Sequence, residues 1–239
     1  MIASDSKQGD SVKHRQIKSY VVRSSKIADK YKDALEKYGS KYLISDTNLE
    51  GIFDEPPFSK NSVSENSAPK RREIILEIGS GQGATLISAA KEKPDTYFLG
   101  TDVYLQGLAH TIYTAQKNNL QNIRLYQGDV NDILKAAPEK FFSEIWCFFP
   151  DPWHKRKHTK RRLIQEDFLD LASKKLACKK LSGSFRVATD NEDYKNQLLK
   201  LGFLQAPRFA FRPITTFEAK ALKANRKVFD LTYNFKNPT

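Results

Sequence analysis

The sequence predicts an α/β fold in which a mostly parallel sheet carries helices on both faces. Short apolar runs of about five residues alternate with longer stretches of helical spacing, which is typical of such sheets. Most of these runs end at Gly, Asp or Pro, residues that commonly follow a strand. The chain has 239 residues, 39% of them hydrophobic, with 15 Phe and 10 Tyr, which is enough to build one large core.

Six apolar runs predict the strands, because a strand buried on both faces of a sheet is apolar throughout. They cover residues 74–78, 97–103, 123–126, 144–149, 185–189 and 228–233. Stretches of helical spacing predict helices at residues 84–93, 105–118 and 168–176. Ligands of such sheets bind beyond the carboxyl ends of the strands, so the residues that follow each strand are the candidates for chemistry.

The chain divides into three parts. Residues 55–70 are rich in Pro, Ser and Asn without apolar periodicity, and predict a flexible linker. Residues 1–54 form an N-terminal arm, and residues 71–239 form the α/β domain. Within the arm, apolar residues at intervals of 4, 4 and 3 predict a short amphipathic helix through Ile27, Tyr31, Leu35 and Tyr38.

Composition excludes several classes of protein. The chain has no apolar run of about 18 residues, the length that a membrane span requires. Its first residues show no apolar segment of the secretory type. Two cysteines, Cys147 and Cys178, are too few for a disulfide scaffold or a zinc ribbon. We therefore expect a cytoplasmic protein.

Charge points to an anionic partner. The chain carries 40 Lys and Arg against 28 Asp and Glu, a net charge of +12. One basic stretch, HKRKHTKRR at residues 154–162, holds six Lys and Arg and no acid, and a second spans residues 208–227. If the fold brings both to one face, they form a phosphate-binding surface. His154 and His158 have a metal-ligand spacing, but the surrounding cations would repel a divalent ion, so we expect no metal.

A glycine loop follows the first strand of the α/β domain. The segment from Glu77 to Gly83 reads E-I-G-S-G-Q-G and is followed by a predicted helix, whose free N–H groups point at any ligand. Asp102 ends the next strand, where a carboxylate accepts hydrogen bonds from ribose hydroxyls. Asp129 follows the third strand, where it is a candidate for the adenine amino group. A glycine loop after one strand and an Asp after each of the next two predict a nucleoside-containing cofactor.

Two cofactors fit a loop of this kind. Gly79, Gly81 and Ala84 match the dinucleotide fingerprint G-x-G-x-x-A, whereas E-x-G-x-G-x-G is typical of S-adenosylmethionine sites. Glu77 favours S-adenosylmethionine, because a carboxylate attracts the ammonium of its amino-acid end and would repel a pyrophosphate. A dinucleotide and a plain glycine turn remain as alternatives.

Further polar residues follow the fourth and fifth strands. Asp151 lies between two prolines and before Trp153, a side chain that can stack on a base. Asp190 follows the fifth strand, with the N-cap of the next helix as its alternative role. Thr215 and Glu218 place a hydroxyl and a carboxylate in the second basic stretch, with a capped helix as the alternative.

The sequence resembles the bacterial tRNA (guanine-N7-)-methyltransferases. The resemblance is carried by PDPWHKRKHTKRR, by the E-I-G-x-G-x-G loop and Gly128-Asp129, by Ala188-Thr189-Asp190 with Tyr194, by Thr215-x-Phe217-Glu218, and by residues 18–23 of the arm. It implies a class I methyltransferase fold. It also implies transfer of a methyl group from S-adenosylmethionine to N7 of a guanine in the variable loop of tRNA.

The resemblance also implies roles for individual residues. Those for the cofactor are Glu77, Gly79, Gly81, Gly83, Asp102, Asp129 and Asp151, and Asp151 is also the catalytic position. Those for the substrate are Lys155, Asp190, Thr215, Thr216, Phe217 and Glu218. Those for tRNA phosphates are Arg156, Lys157, Lys160, Arg161 and Arg162. The chain departs from the family at Asp102, where Glu is usual, and after Glu218, where the family has an Arg and then a Gly-His-like pair.

Other functions remain open at the level of sequence. A catalytically inactive RNA-binding relative would retain the basic stretches but not need the intact glycine loop. Another base methyltransferase that uses S-adenosylmethionine would methylate an exocyclic amine, but such enzymes use an Asn/Asp-Pro-Pro-aromatic loop that this chain lacks. A dinucleotide oxidoreductase is the third rival. We expect tRNA as the partner, a monomer or homodimer, and no obligate second subunit.

Overall fold

A computed structural model describes residues 18–20, 26–47, 49, 51–52, 73–177 and 184–235, and shows one eight-stranded sheet. The strands lie in the order β1-β4-β3-β2-β5-β6-β8-β7. All neighbouring pairs are parallel except those made by β8, which runs antiparallel to β6 and β7. Their bounds are β1 Leu43–Ile44, β2 Ile74–Ile78, β3 Tyr97–Asp102, β4 Ile123–Gln127, β5 Glu144–Phe148, β6 Ser184–Thr189, β7 Leu204–Gln205 and β8 Phe229–Asn234.

Helices cover both faces of the sheet. They are α1 Asp29–Tyr42, α2 Ala84–Glu92, α3 Leu105–Lys117, α4 Val130–Ala136, α5 Glu166–Lys175, α6 Glu192–Lys200 and α7 Thr216–Lys223, with a 3-10 helix at Arg156–Arg161. Side chains of α1, α2 and α3 share one apolar cluster with Ile75 and Phe98, whereas those of α4, α5 and α6 share another with Leu76 and Leu99. Alternate residues of a strand point to opposite faces, so β2 and β3 are buried on both.

The predicted α/β fold is confirmed. All six predicted strands are present with bounds within one residue of the expectation, and the three predicted helices are present within two. The sequence did not predict β1, β7, α4 or the 3-10 helix. β1 and β7 have two residues each. They form only by pairing with distant strands: Leu43 of β1 pairs with Leu125, and Leu204 of β7 pairs with Thr232. Such pairing leaves no local periodicity to detect.

The described part of the N-terminal arm is packed onto the α/β domain. The predicted amphipathic helix is α1, which packs against α3. Tyr42 at its end is fully buried, and its hydroxyl donates a hydrogen bond to the Leu120 carbonyl at 2.9 Å. The chain then enters the sheet as the edge strand β1. The predicted linker, residues 55–70, lies outside the described residues, so the division of the chain stays a prediction.

The strand order places a crevice at the centre of the sheet. The chain moves from β2 outward to β3 and β4 on one side, then returns to β5 and β6 on the other. Loops that leave β2 and β5 therefore diverge at their carboxyl ends, where ligands of open parallel sheets bind. In the described ranges, every helix is too short or too polar to span a lipid bilayer.

Asn122 is buried, and we expect the hydrogen bonds of its side chain to stabilise the fold. Its Nδ2 group donates to the carbonyls of Ala90, Lys93 and Thr96 at 3.2, 3.1 and 2.9 Å. Asn122→Ala leaves these carbonyls without that donor and should lower the free energy of unfolding by about 2 kcal/mol in urea denaturation. Gln121→Ala is the control, because the Gln121 side chain donates its hydrogen bonds to Asn119, two residues away. An equal loss of unfolding free energy in both variants would contradict this account.

Candidate active site

A cavity of about 510 Å³ lies at the carboxyl ends of β2, β3 and β5. Its floor comes from these strand ends, and part of its wall comes from residues 19–20 of the arm and from the start of α7. The predicted site residues that line it are Glu77, Gly79, Gly81, Asp102, Asp129, Asp151, Thr215, Thr216 and Phe217. Those that do not are Gly83, Arg156, Lys157, Lys160, Arg161, Arg162, Lys155, Asp190 and Glu218.

The glycine loop turns beneath the cavity in a left-handed conformation. Gly79, Gly81 and Gly83 have φ of 66°, 55° and 72°, values that non-glycine residues seldom adopt. A Cβ on Gly79 or Gly81 would meet no protein atom within 4 Å, so both backbones lie open to a ligand. A Cβ on Gly83 would come within 2.4 Å of Thr111. Gly83 therefore serves the packing of α2 against α3.

Glu77 has a buried carboxyl group, one oxygen of which makes no hydrogen bond. Its side chain accepts hydrogen bonds from Thr85 and from the Leu86 backbone, but Oε2 has no partner. Burial, followed by the nearby charge of Asp102, raises the pKa of Glu77 to about 8. A cationic group in the cavity would supply the missing partner and favour the ionised carboxylate.

Asp102 holds together the loops that follow β2 and β3. Its Oδ2 accepts the Gly81 N–H at 2.7 Å, and its Oδ1 accepts the Tyr104 N–H at 2.8 Å. Burial raises the pKa of this carboxyl, while these backbone hydrogen bonds oppose the rise. The aspartate fixes the glycine loop while it lines the cavity. Asp129 likewise has a second task, since its Oδ1 accepts the Asn131 N–H at 2.9 Å and caps α4.

The loop that carries Asp151 is held from outside by aromatic and backbone contacts. Phe149 and Trp153 flank the Pro-Asp-Pro segment with φ of 56° and 48°, a strained conformation for such residues. Trp153 donates from Nε1 to the Ser19 carbonyl at 3.0 Å, and the Arg161 guanidinium lies 4.5 Å from its ring centre. Trp153 therefore fastens the arm to the loop, and its role in base stacking stays a prediction.

Arg162 differs from the predicted phosphate contact. Its side chain is buried, and its Nε donates to the Pro152 carbonyl at 2.8 Å. Its two terminal nitrogens donate to Asp193 and to Gln197. With its donors used inside the protein, Arg162 supports the loop beside Asp151. The other predicted phosphate contacts, Arg156, Lys157, Lys160 and Arg161, form the 3-10 helix with two intervening residues, and Lys155 directly precedes it.

Asp190 does not line the cavity and is held in an ion pair. Its Oδ2 accepts a hydrogen bond from Arg226 Nε at 2.8 Å. The alternative role as N-cap of α6 is wrong, because Asn191 occupies that position and accepts the Tyr194 N–H at 2.7 Å. Asn191 also contacts His154, with 3.2 Å between Nδ2 and Nδ1. The two basic stretches therefore meet at residues 190–191.

The segment from Thr215 to Glu218 combines a helix cap with a buried ion pair. Thr215 caps α7, accepting the Glu218 N–H at 3.2 Å, so the capped helix is confirmed. Glu218 does not line the cavity, in contrast to its predicted contact with substrate. Its carboxylate is buried and paired with Arg208 and Arg212.

Sequence reasoning missed several residues of the site. Ser19 and Tyr20 line the cavity, and their only signal was the resemblance of residues 18–23 to an arm. Gly107 of α3 also lines it, and a Cβ there would lie 2.5 Å from the Gly81 carbonyl oxygen. Arg212 belonged to a stretch that indicated phosphate binding. In the described part of the chain, no three His, Cys, Asp or Glu side chains are grouped to hold a metal.

The raised pKa of Glu77 predicts how stability depends on pH. The unfolded chain loses this proton near pH 4.5, whereas the folded protein retains it until about pH 8. Within that window the folded state binds more protons, so Glu77 reduces stability by roughly 1.4 kcal/mol for each pH unit of increase. Glu77→Gln should remove this contribution, so the ligand-free variant should lose less unfolding free energy between pH 5 and pH 8 than the wild-type protein does.

Urea denaturation at both pH values measures the effect. Glu92→Gln makes the same charge change on the exposed surface of α2 and serves as the control. If wild type and Glu77→Gln show the same change in stability between pH 5 and pH 8, Glu77 does not hold a proton in the folded state.

The chain is similar to known methyltransferases along most of its length. The family model Methyltransf_4, described as "Putative methyltransferase", matches residues 71–231. The tRNA (guanine-N(7)-)-methyltransferase of Francisella philomiragia is 35% identical, over 92% of this chain and 95% of that protein. The protein of that name from Saccharophagus degradans is 32% identical, over 93% and 96%.

A solved structure supports the fold alone. The 30S ribosomal A1408 methyltransferase from an uncultured bacterium superposes with a TM-score of 0.50 at 17% identity, over 69% of this chain and 88% of that one. The relatives match nearly the full length of the chain. The family model spans the glycine loop and the Asp151 loop, which line one cavity. The chain therefore belongs to the tRNA (guanine-N7-)-methyltransferase family, whose members use S-adenosylmethionine.

Proposed function

We propose that this chain transfers a methyl group from S-adenosylmethionine to N7 of a guanine in the variable loop of tRNA. The observation that carries the proposal is one cavity lined by the glycine loop, by Glu77 and Asp102, and by Asp151. The residues suited to a cofactor and the candidate catalytic carboxylate line the same cavity of about 510 Å³, which supports the proposal. Membership of the family supplies the substrate class.

The residues of the cavity fit S-adenosylmethionine. Its ammonium is a partner for the orphaned Oε2 of Glu77, and its ribose hydroxyls are donors for the remaining acceptor capacity of Asp102. Asp129, at the start of α4, is the candidate for the adenine amino group. Gly79 and Gly81 leave the space that the ligand needs. When bound, the cofactor supplies an electrophilic methyl group on a sulfonium.

Methylation of guanine N7 requires little proton transfer by the protein. N7 has a lone pair in the plane of the ring and attacks without losing a proton. The main task of the chain is alignment, and a misplacement of about 1 Å can cost a factor of roughly 100 in rate. The purine becomes positively charged during transfer. The Asp151 carboxylate, fixed between two prolines, stabilises that charge without acting as a base.

The surface beside the cavity suits an RNA backbone. The 3-10 helix at Arg156–Arg161 is basic, and the second basic stretch reaches the same place through Arg226, which pairs with Asp190. Asn191 joins the two through its contact with His154. We assign phosphate binding to Lys155 and the cations of the 3-10 helix, because such contacts position RNA without selecting a base. Asp190 and the Thr215–Phe217 segment are assigned to the guanine.

The proposal extends to partners and compartment. A tRNA is the substrate, the active species is a monomer or a homodimer without an obligate second subunit, and the protein acts in the cytoplasm. Sedimentation of the protein alone and with tRNA tests the assembly.

Asp151→Ala is expected to lower turnover by about 100-fold or more, as does removal of other preorganised polar groups. The assay uses S-adenosylmethionine and unmodified tRNA, with nucleoside analysis of the product for N7-methylguanosine, which is cationic. Asp170→Ala, on the exposed side of α5, is the matched control and should retain full turnover. Full turnover by Asp151→Ala would refute the role of Asp151, and methylation at another atom would refute the proposed substrate position.

The exposed and the buried cations of the basic stretch should behave differently. Arg156→Gln with Lys157→Gln removes two exposed charges, so the slope of log affinity for tRNA against log salt should fall by roughly 1 to 2. Arg162→Gln should leave this slope unchanged and lower the free energy of unfolding, because its guanidinium is bonded inside the protein. Filter binding between 50 and about 200 mM salt measures the slopes. A flatter salt slope in Arg162→Gln would show that Arg162 binds a tRNA phosphate after all.

A further inference from the structure

One wall of the cavity is formed by a helix that has little to hold it in place. Thr215, Thr216 and Phe217 line the cavity at the start of α7, a helix of eight residues. Isolated helices of this length are not stable in water. Most of α7 is exposed, including Phe217 at 64%, and only Glu218 and Ala221 are buried. Ala221 offers one methyl group, so the position of the wall depends on Glu218.

Glu218 is held by two arginines. Arg212, whose side chain is fully buried, donates from one terminal nitrogen to Glu218 Oε2 at 2.6 Å. Its other terminal nitrogen donates to both oxygens of Asp230 at 2.8 Å. Arg208 also pairs with Glu218 and donates to the Arg212 carbonyl at 2.8 Å. The planar guanidinium of Arg212 thus bridges α7 and β8 in a fixed geometry.

Arg212 also lies against the base of the Asp151 loop. Its guanidinium carbon is 5.5 Å from the ring centre of Phe148 and 5.4 Å from that of Phe149. These are the last residues before Pro150 and Asp151, and Phe149 has the strained φ of 56°. Asp230, the partner of Arg212, pairs in the sheet with Ala188, two residues before Asp190. One buried side chain therefore connects all three assigned substrate segments.

We propose that Arg212 is a positioning residue for methyl transfer, which fixes the Thr215–Phe217 wall and the Asp151 loop at a set separation across the cavity. The inference rests on the proposed function and adds to it a residue that touches neither cofactor nor substrate. A lysine at this position would retain the charge but could not bond to Glu218 and Asp230 together in the same fork geometry. Charge alone therefore does not replace the arginine.

The test uses two variants that leave the cavity lining unchanged. Arg212→Lys retains the charge, and Asp230→Asn removes a charge on β8, outside the cavity. We expect the single-turnover rate per folded molecule, at saturating S-adenosylmethionine and tRNA, to fall roughly 10- to 100-fold in each. Affinity for S-adenosylmethionine should stay within about twofold, because the glycine loop does not contact the network. Hydrogen exchange should accelerate at the amides of α7.

Arg186→Lys is the matched control. Arg186 pairs with Glu144 at 2.9 Å in the neighbouring strands, and its pair does not line the cavity. This variant should show the wild-type single-turnover rate and unchanged exchange in α7. Circular dichroism gives the folded fraction of each variant, so a loss of stability is separated from a loss of rate.

Two results would overturn the proposal. One is a wild-type saturated rate in either Arg212→Lys or Asp230→Asn, and the other is unchanged exchange in α7 in both. If the wild-type protein forms no N7-methylguanosine, the proposed function fails by itself. Exchange in α7 then decides whether Arg212 anchors the wall, since that measurement needs no activity.

Discussion

Two buried carboxyl groups at the carboxyl edge of the sheet, Glu77 and Asp102, define the chemistry of this protein. Burying acids side by side is unfavourable, and the burial raises the pKa of both. Backbone N–H groups offset part of the cost for Asp102, but Glu77 retains an oxygen without a partner. A buried carboxyl group with one unpartnered oxygen destabilises the fold and is well suited to a cationic ligand. The glycine loop borders the space that such a ligand would occupy. The same residues therefore lower the stability of the ligand-free protein and favour binding.

The segments around this floor are placed by groups outside the cavity. Arg162 bonds to the carbonyl of Pro152, and Trp153 bonds to the arm at Ser19. Arg212 serves the α7 wall in the same manner, from beneath. Arg162 and Arg212 each join a segment of irregular backbone or short helix to a regular element, α6 and β8 respectively. The strained φ values at Phe149 and Trp153 persist because the contacts around them determine the loop.

The sequence predicted those parts of the structure that local pattern determines. Apolar runs gave the six long strands, and the spacing from Glu77 to Gly83 gave the glycine loop, because both follow from neighbours in the chain. The direction in which a charged side chain points is set by distant residues. Arg162 stands in a run of six cations and yet folds inward, because Asp193 and Gln197 of α6 meet it there. Glu218 turns inward for the same kind of reason.

The most direct test of the account is the proton balance of cofactor binding. At pH 6.5 the ligand's amino group is already an ammonium, and a carboxyl of pKa about 8 is still protonated in the free protein. Calorimetric titration with S-adenosylmethionine in two buffers of different ionisation enthalpy counts the protons exchanged. The account predicts release of about one proton for each molecule bound, absent in Glu77→Gln. Binding to the wild-type protein without proton release would contradict it, as would no binding at all.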